Sequence, residues 1–158
     1  MQLVVETIDA AGPLRRVLDT MDRRQRIARH VCMNTGEASL HAASDSDEFS
    51  YDDDNLIKVF GPAWRMLIIG AGELARRVAQ LAMTLDYAVT ICDSRPEYAS
   101  GWDVEGAEFS TVSPAELIKQ FAPDQRSVIL ALAHASALED DALVAALQSE
   151  AFYIGALG

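Results

Sequence analysis

The stretch Ile69-Gly70-Ala71-Gly72-Glu73-Leu74-Ala75 has the form Gly-x-Gly-x-x-Ala. Residues of these types at this spacing suit the binding of a phosphate. Gly70 permits a tight turn, Gly72 lets the backbone approach a pyrophosphate with no Cβ between them, and Ala75 keeps the following helix close to a sheet. A helix opening at Glu73 would aim free N–H groups and a partial positive charge at the ligand, with Ala71, Glu73 and Leu74 beside it. Asp93-Ser94-Arg95 follows roughly 20 residues on, where an acid in such units binds a ribose hydroxyl. The acid disfavours a 2′-phosphate and so favours NAD over NADP. Arg95 has two readings: stacking on an adenine or pairing with a 2′-phosphate, or a surface pair with Glu97. Glu73 also has two, since an acid suits the helix dipole but repels a phosphate. Ala133-His134 closes an apolar run, which places His134 to touch a ligand or to act as acid or base, or simply to begin a loop.

These residues need a scaffold, and the hydrophobic pattern supplies one. Met66–Ile69 reads as a buried strand leading into the glycine turn. Leu74, Val78, Leu81, Ala82 and Leu85 then recur at helical spacing and predict one face packing on a sheet. Ala88–Cys92 is a second strand, and Ala107–Ser110 a short third. Ser113 as N-cap, Pro114 at the first position and Glu116 at the capping-box site open a helix with Leu117, Ile118 and Phe121 on its apolar side. Val128–Ala133 has the unbroken apolarity of a parallel strand. Ala142, Leu143, Ala146 and Leu147 mark another helix, and residues 152–158 a last strand with a Gly-bearing turn. The fold class is α/β: a Rossmann-like doubly wound parallel sheet over residues 63–158. Such a sheet ordinarily runs on into a further helix, so this half reads as truncated.

Residues 1–62 read differently, as a small α+β unit. Leu3–Thr7 is expected as a strand, and Pro13 opens a helix carrying Leu14, Val17, Leu18 and Met21. A run from Ile27 to Cys32 and a return at Ala38–Ala42 flank the turn Asn34-Thr35-Gly36-Glu37 as a hairpin. The acidic stretch from Ser44 to Asp54 lacks the glycine and terminal glutamate of a calcium loop and reads as a solvated turn. Leu56–Phe60 is a third strand, and Gly61-Pro62 marks the boundary.

Composition narrows the function classes. The 158 residues are 50% hydrophobic, enough for a real core. The net charge of −11 and a pI near 4.5 disfavour nucleic acid and anionic membranes as partners. Two cysteines, Cys32 and Cys92, are too few for a disulfide framework or a structural zinc site. No membrane-length apolar run or signal peptide is visible, so a cytoplasmic setting is expected.

The glycine stretch, Asp93-Ser94-Arg95-Pro96-Glu97-Tyr98, Ala133-His134 and above all Phe152-Tyr153-Ile154-Gly155-Ala156-Leu157-Gly158 together resemble the C-terminal Rossmann domain of the xanthine dehydrogenase accessory protein family, XdhC type. Residues 64–158 carry the likeness well and residues 1–60 less distinctly. The resemblance implies a chaperone-like binding and insertion factor rather than a catalyst. It would bind molybdenum cofactor, assist its sulfuration with a cysteine desulfurase, and help insert it into an apo molybdenum hydroxylase such as a xanthine dehydrogenase. Family proteins look dimeric, which makes a homodimer an expectation. Two departures stand out: the family's Gly-Cys-Gly-type segment is not present ahead of Leu3, and the Ser-Arg continuation after Gly158 is not present either. The alternatives are an NAD(P)-dependent oxidoreductase or nucleotide-sensing module, and a Rossmann scaffold that has lost its ligand. For the oxidoreductase there is no Tyr-x-x-x-Lys set and no second catalytic domain.

Overall fold

The computed structural model describes residues 4–5, 12–44, 47, 49–133 and 137–157. The chain divides into two compact units, residues 1–62 and 63–158.

In the first unit, helix α1 (Pro13–Asp22) starts at a proline whose fixed φ and missing N–H suit a first helical turn. Strands β1 (Ile27–Cys32), β2 (Ala38–Ala42), β3 (Ser50–Tyr51) and β4 (Asn55–Phe60) form an antiparallel sheet in the order β2-β1-β4-β3. β1 is central, with Ile27 opposite both Ala42 and Phe60. The β1–β2 hairpin turns at Gly36, whose φ of +75° only glycine adopts freely. The acidic stretch closes its own turns. Asp52 Oδ1 accepts the amides of Asp54 (2.9 Å) and Asn55 (2.7 Å), and Asp47 Oδ2 accepts that of Ser44 (2.7 Å). Those N–H donors hold both carboxyls below the usual aspartate range. The expected strand at Leu3–Thr7 lies largely outside the described residues, and Val4 and Val5 belong to no strand. Of the four expected apolar contacts of α1, only Val17 is buried, and Leu18 stands exposed.

The second unit alternates strand and helix: β5 (Arg65–Ile69), α2 (Glu73–Thr84), β6 (Ala88–Cys92), α3 (Pro96–Ser100), β7 (Glu108–Ser110), α4 (Pro114–Phe121), β8 (Ser127–Ala131), α5 (Ala137–Leu147) and β9 (Tyr153–Ala156). Every pairing is parallel, in the order β7-β6-β5-β8-β9. This is the Rossmann-like sheet that the pattern predicts. Side chains alternate between its faces. Leu67, Ile69, Cys92 and Ile129 pack under α4 and α5, while Ile68, Val89 and Ile91 pack under α2. Both faces are covered, which is why these strands are apolar throughout.

Two local expectations are corrected. Helix α2 meets the sheet through Ala75, Ala79 and Ala82; of the expected stripe Ala82 is buried and Val78 packs against the core, whereas Leu74, Leu81 and Leu85 point largely to solvent. Each alanine follows a larger residue by one position (74/75, 78/79, 81/82), so two stripes about 100° apart share one period, and the smaller side chains take the sheet. Ser113 holds the N-cap position of α4, but its side chain makes no capping bond. The far end of α4 is closed differently. Ala122 takes a left-handed conformation, and Arg65 donates to the carbonyls of Phe121 and Ala122, each at 2.9 Å. Helix α3, just beyond Asp93, has no counterpart among the predicted elements.

Candidate functional site

The strand order reverses direction between β5 and β8, and the crevice outside the carboxyl ends of strands at such a point is where doubly wound sheets bind ligands. A cleft of about 310 Å³ lies there. Four loops build it. The β5–α2 turn contributes Gly70, Gly72, Glu73 and Leu74; the segment after β6 contributes Arg95 and Tyr98; the segment after β8 contributes Leu132 and Ala133; and Leu157 follows β9.

The glycines have separate tasks. Gly70 has a φ of +97°, and a Cβ on it would stand 2.7 Å from the amide nitrogen and Cβ of Ala133. The turn therefore bends sharply and touches the β8 loop, and only glycine does both without strain. Its own N–H donates to Cys92 O at 2.8 Å, and Leu132 N–H donates to Ile69 O at 2.8 Å, which ties the three strand ends together. A Cβ on Gly72 would meet nothing within 4 Å, so that face is open. Gly72 is the N-cap of α2 and offers no side-chain cap. Among the described residues, the amides of Gly72, Glu73 and Leu74 have no protein acceptor. They are the orphan donors of a helix start, at its positive end.

Asp93 sits at the tip of β6 and is 5% exposed. It receives the Ala71 amide at 3.0 Å, the Arg95 amide at 3.1 Å, Arg95 Nε at 2.9 Å and Arg95 Nη2 at 2.8 Å. Burial alone would push this carboxyl up; the Arg95 guanidinium and the N–H donors outweigh it and hold the group below its ordinary value. Its partner effect raises the Arg95 pKa in turn. The Arg95 guanidinium also lies 4.0 Å over the ring of Tyr98. The alternative pairing of Arg95 with Glu97 is not what forms. Glu73 is mostly exposed and is bound to Arg77 at 3.0 Å and Arg76 at 3.5 Å, so its charge at the cleft is offset. Buried Cys92, its thiol pushed up to about 11 by burial, faces the core and not the cleft.

Of the residues read from sequence, Gly70, Gly72, Glu73, Leu74, Arg95 and Ala133 come together around the cleft. Ala71 and Asp93 form the lock beneath it. Ser94 does not line it, and His134 lies outside the described residues. Tyr98, Leu132 and Leu157 were not singled out as site residues. Tyr98 had a legible signal, an aromatic one helical turn after Arg95; the two leucines look like ordinary strand-end residues.

Residues 66–158 match the family described as the XdhC Rossmann domain. Among solved structures, the chain is similar to a xanthine dehydrogenase from Bacillus halodurans, with a TM-score of 0.71 at 19% identity. That match covers 92% of this chain and 49% of the other, so the chain spans about half the length of its structural relative. No curated protein matches the sequence.

Proposed function

Because the chain belongs to the XdhC Rossmann-domain family, we propose that it is an accessory protein of molybdenum hydroxylases rather than a catalyst. It binds molybdenum cofactor, works with a cysteine desulfurase during sulfuration, and passes the cofactor to an apo-enzyme in the cytoplasm. The observation that carries this reading is the cleft at the start of α2, where the three unpartnered amides of Gly72, Glu73 and Leu74 line one opening. A phosphate there would be met by backbone donors and the helix dipole, without help from a basic surface. The open space above Gly72 is the kind of cradle that a Cβ would fill. The cleft volume falls at the lower end of the range usual for ligand pockets.

The cofactor, when bound, supplies the redox chemistry that its client enzyme uses. This chain's part is to hold and release it. Gly70 and the Asp93–Ala71 bond fix the loop, and the α2 amides orient the phosphate end. A nucleotide-sensing module is a second reading, favoured by Arg95, whose guanidinium lies 4.0 Å over the Tyr98 ring in the lining of the cleft.

Thermal unfolding with added pterin cofactor, NAD, NADP and nucleoside monophosphates tests the proposal. Pterin cofactor at 100 times its Kd should stabilise the chain by about 2.7 kcal/mol, and Gly72→Asp should abolish the effect. Stabilisation by NAD together with turnover of a carbonyl substrate would replace the accessory role with an oxidoreductase. No stabilisation by any of them would leave a scaffold.

A further inference from the structure

Asp93 stands where a ribose diol would be received, yet its carboxylate already accepts four hydrogen bonds, from the Ala71 amide and from the amide, Nε and Nη2 of Arg95. A carboxylate has about four lone-pair sites, so none is left for ribose hydroxyls unless the arginine is expelled. Expelling it would break a bidentate charge-assisted pair, among the stronger side-chain contacts.

The side presented to the cleft is therefore cationic. The Asp93 side chain is 4% exposed, that of Arg95 50%. Asp93 takes the guanidinium edge formed by Nε and one N–H of Nη2. The opposite edge, Nη1 and the second N–H of Nη2, bonds nothing among the described residues. Tyr98 supports one face of the group. A planar cation held on one edge and one face, with a fork of N–H groups free, has the geometry of a phosphate receptor. The acid that shares the cleft, Glu73, is engaged by Arg76 and Arg77.

Resting on the second reading of the cleft, as a nucleotide site, and naming its ligand class, we propose that Arg95 reads a phosphomonoester on a ribose. The cleft then takes a 2′-phosphorylated, NADP-type nucleotide in preference to its unphosphorylated counterpart. This reverses the preference that Asp93 suggests from sequence. The acid is spent on presenting the arginine, and the arginine meets the ligand. Unphosphorylated nucleotides lose twice, since they offer the fork no anion and find no open acceptor for their diol.

The test is calorimetric titration of the full chain with NADP+, NAD+, 2′,5′-ADP and inorganic phosphate. NADP+ and 2′,5′-ADP should bind at least about tenfold more tightly than NAD+. Arg95→Gln should bring the NADP+ to NAD+ ratio to one or below, by weakening NADP+ and by freeing Asp93 to accept the NAD+ diol, and Arg95→Lys should keep part of the preference. An unchanged melting curve for Arg95→Lys guards against a folding defect, and the ratio itself is a readout that simple loosening of the loop would not move. Equal affinity for NAD+ and NADP+ would overturn the assignment, as would a ratio that survives Arg95→Gln. Inorganic phosphate binding as tightly as 2′,5′-ADP would overturn it by showing a bare anion site. Pterin monophosphate binding that ignores Arg95→Gln, without nucleotide binding, would hand the cleft to the pterin alone. If both nucleotides bind equally and Gly72→Asp removes both, this inference falls and the ligand site stands. If nothing binds and Gly72→Asp changes nothing, both fall.

Discussion

The two units each hold a sheet, but only one gathers a site. In the antiparallel sheet, the turn at Gly36 and the turn at Asp52 lie at one end and bond each other, with Met33 N–H donating to Asp54 O at 2.7 Å and Asn34 Nδ2 to Asp54 Oδ1 at 2.8 Å, so their polar groups are spent on holding the hairpins together. In the parallel sheet, β5, β6, β8 and β9 all end on one side, and their loops meet around one cleft. The same amino acids thus do different work. Asp52 caps its own turn two and three residues on, whereas Asp93 reaches back across the sequence to hold the Ala71 amide.

Glycine offers the sharpest way to break that contrast. Gly36 and Gly70 both have positive φ, but only Gly70 lies against another loop. Gly70→Val should cost about 4 kcal/mol, from backbone strain plus overpacking against Ala133, and should abolish ligand stabilisation. Gly36→Ala, strained but in open space, should cost about 1 kcal/mol. Urea denaturation measures both. Next come the cores. Ile129→Ala, beneath α4 and α5, should cost about 3 kcal/mol, and Leu56→Ala on the half-buried β4 about 1 kcal/mol. Equal losses in the two would mean that the antiparallel sheet is as tightly packed as the parallel one.

The acids come third. Asp93→Asn should cost about 2 kcal/mol at pH 7, since it removes a charged acceptor from buried donors. Its native pKa is depressed, so the stabilisation is complete above the unfolded value of about 3.9 and is lost as pH falls through the native one. The gap between variant and parent should therefore close on acidification below about pH 4, followed by denaturation at stepped pH. Asp52→Asn should show the same sign with a smaller loss. The smallest effect belongs to Leu81→Gln on the outer stripe of α2, within about 0.5 kcal/mol by thermal melting. A large loss there would show that the stripe is covered after all.

Much of this was legible beforehand. The βα alternation, the glycine turn and the acid at the tip of β6 follow from apolar runs of strand length and from residues with one mechanical use. The phase of α2 was not, because the periodicity is common to leucine and alanine stripes and the larger side chains dominate any hydrophobic reading. Nor was the state of Asp93. Its position is a matter of sequence distance, but its occupancy depends on Arg95 folding back two residues, with Tyr98 beneath, at the start of a short helix that no pattern announced. The capping role of Ser113 failed for a related reason: the residue type suits the place, and the hydroxyl does not make the bond.

The alanine face of α2 has a consequence in conformational entropy. Burying a leucine freezes rotamers at a cost of about 0.5–1 kcal/mol, whereas an alanine has none to lose. Ala75, Ala79 and Ala82 therefore make the fully buried contacts of the helix with no rotamers of their own to freeze, and the leucines on the outer stripe keep their freedom in water. The backbone of α2 comes to rest at a distance set largely by methyl groups, with Val78 and Met83 packed at the margin. The buried contact of its first turn is Ala75, which has no rotamer to change, so the amides that open on the cleft hold their positions before a ligand arrives.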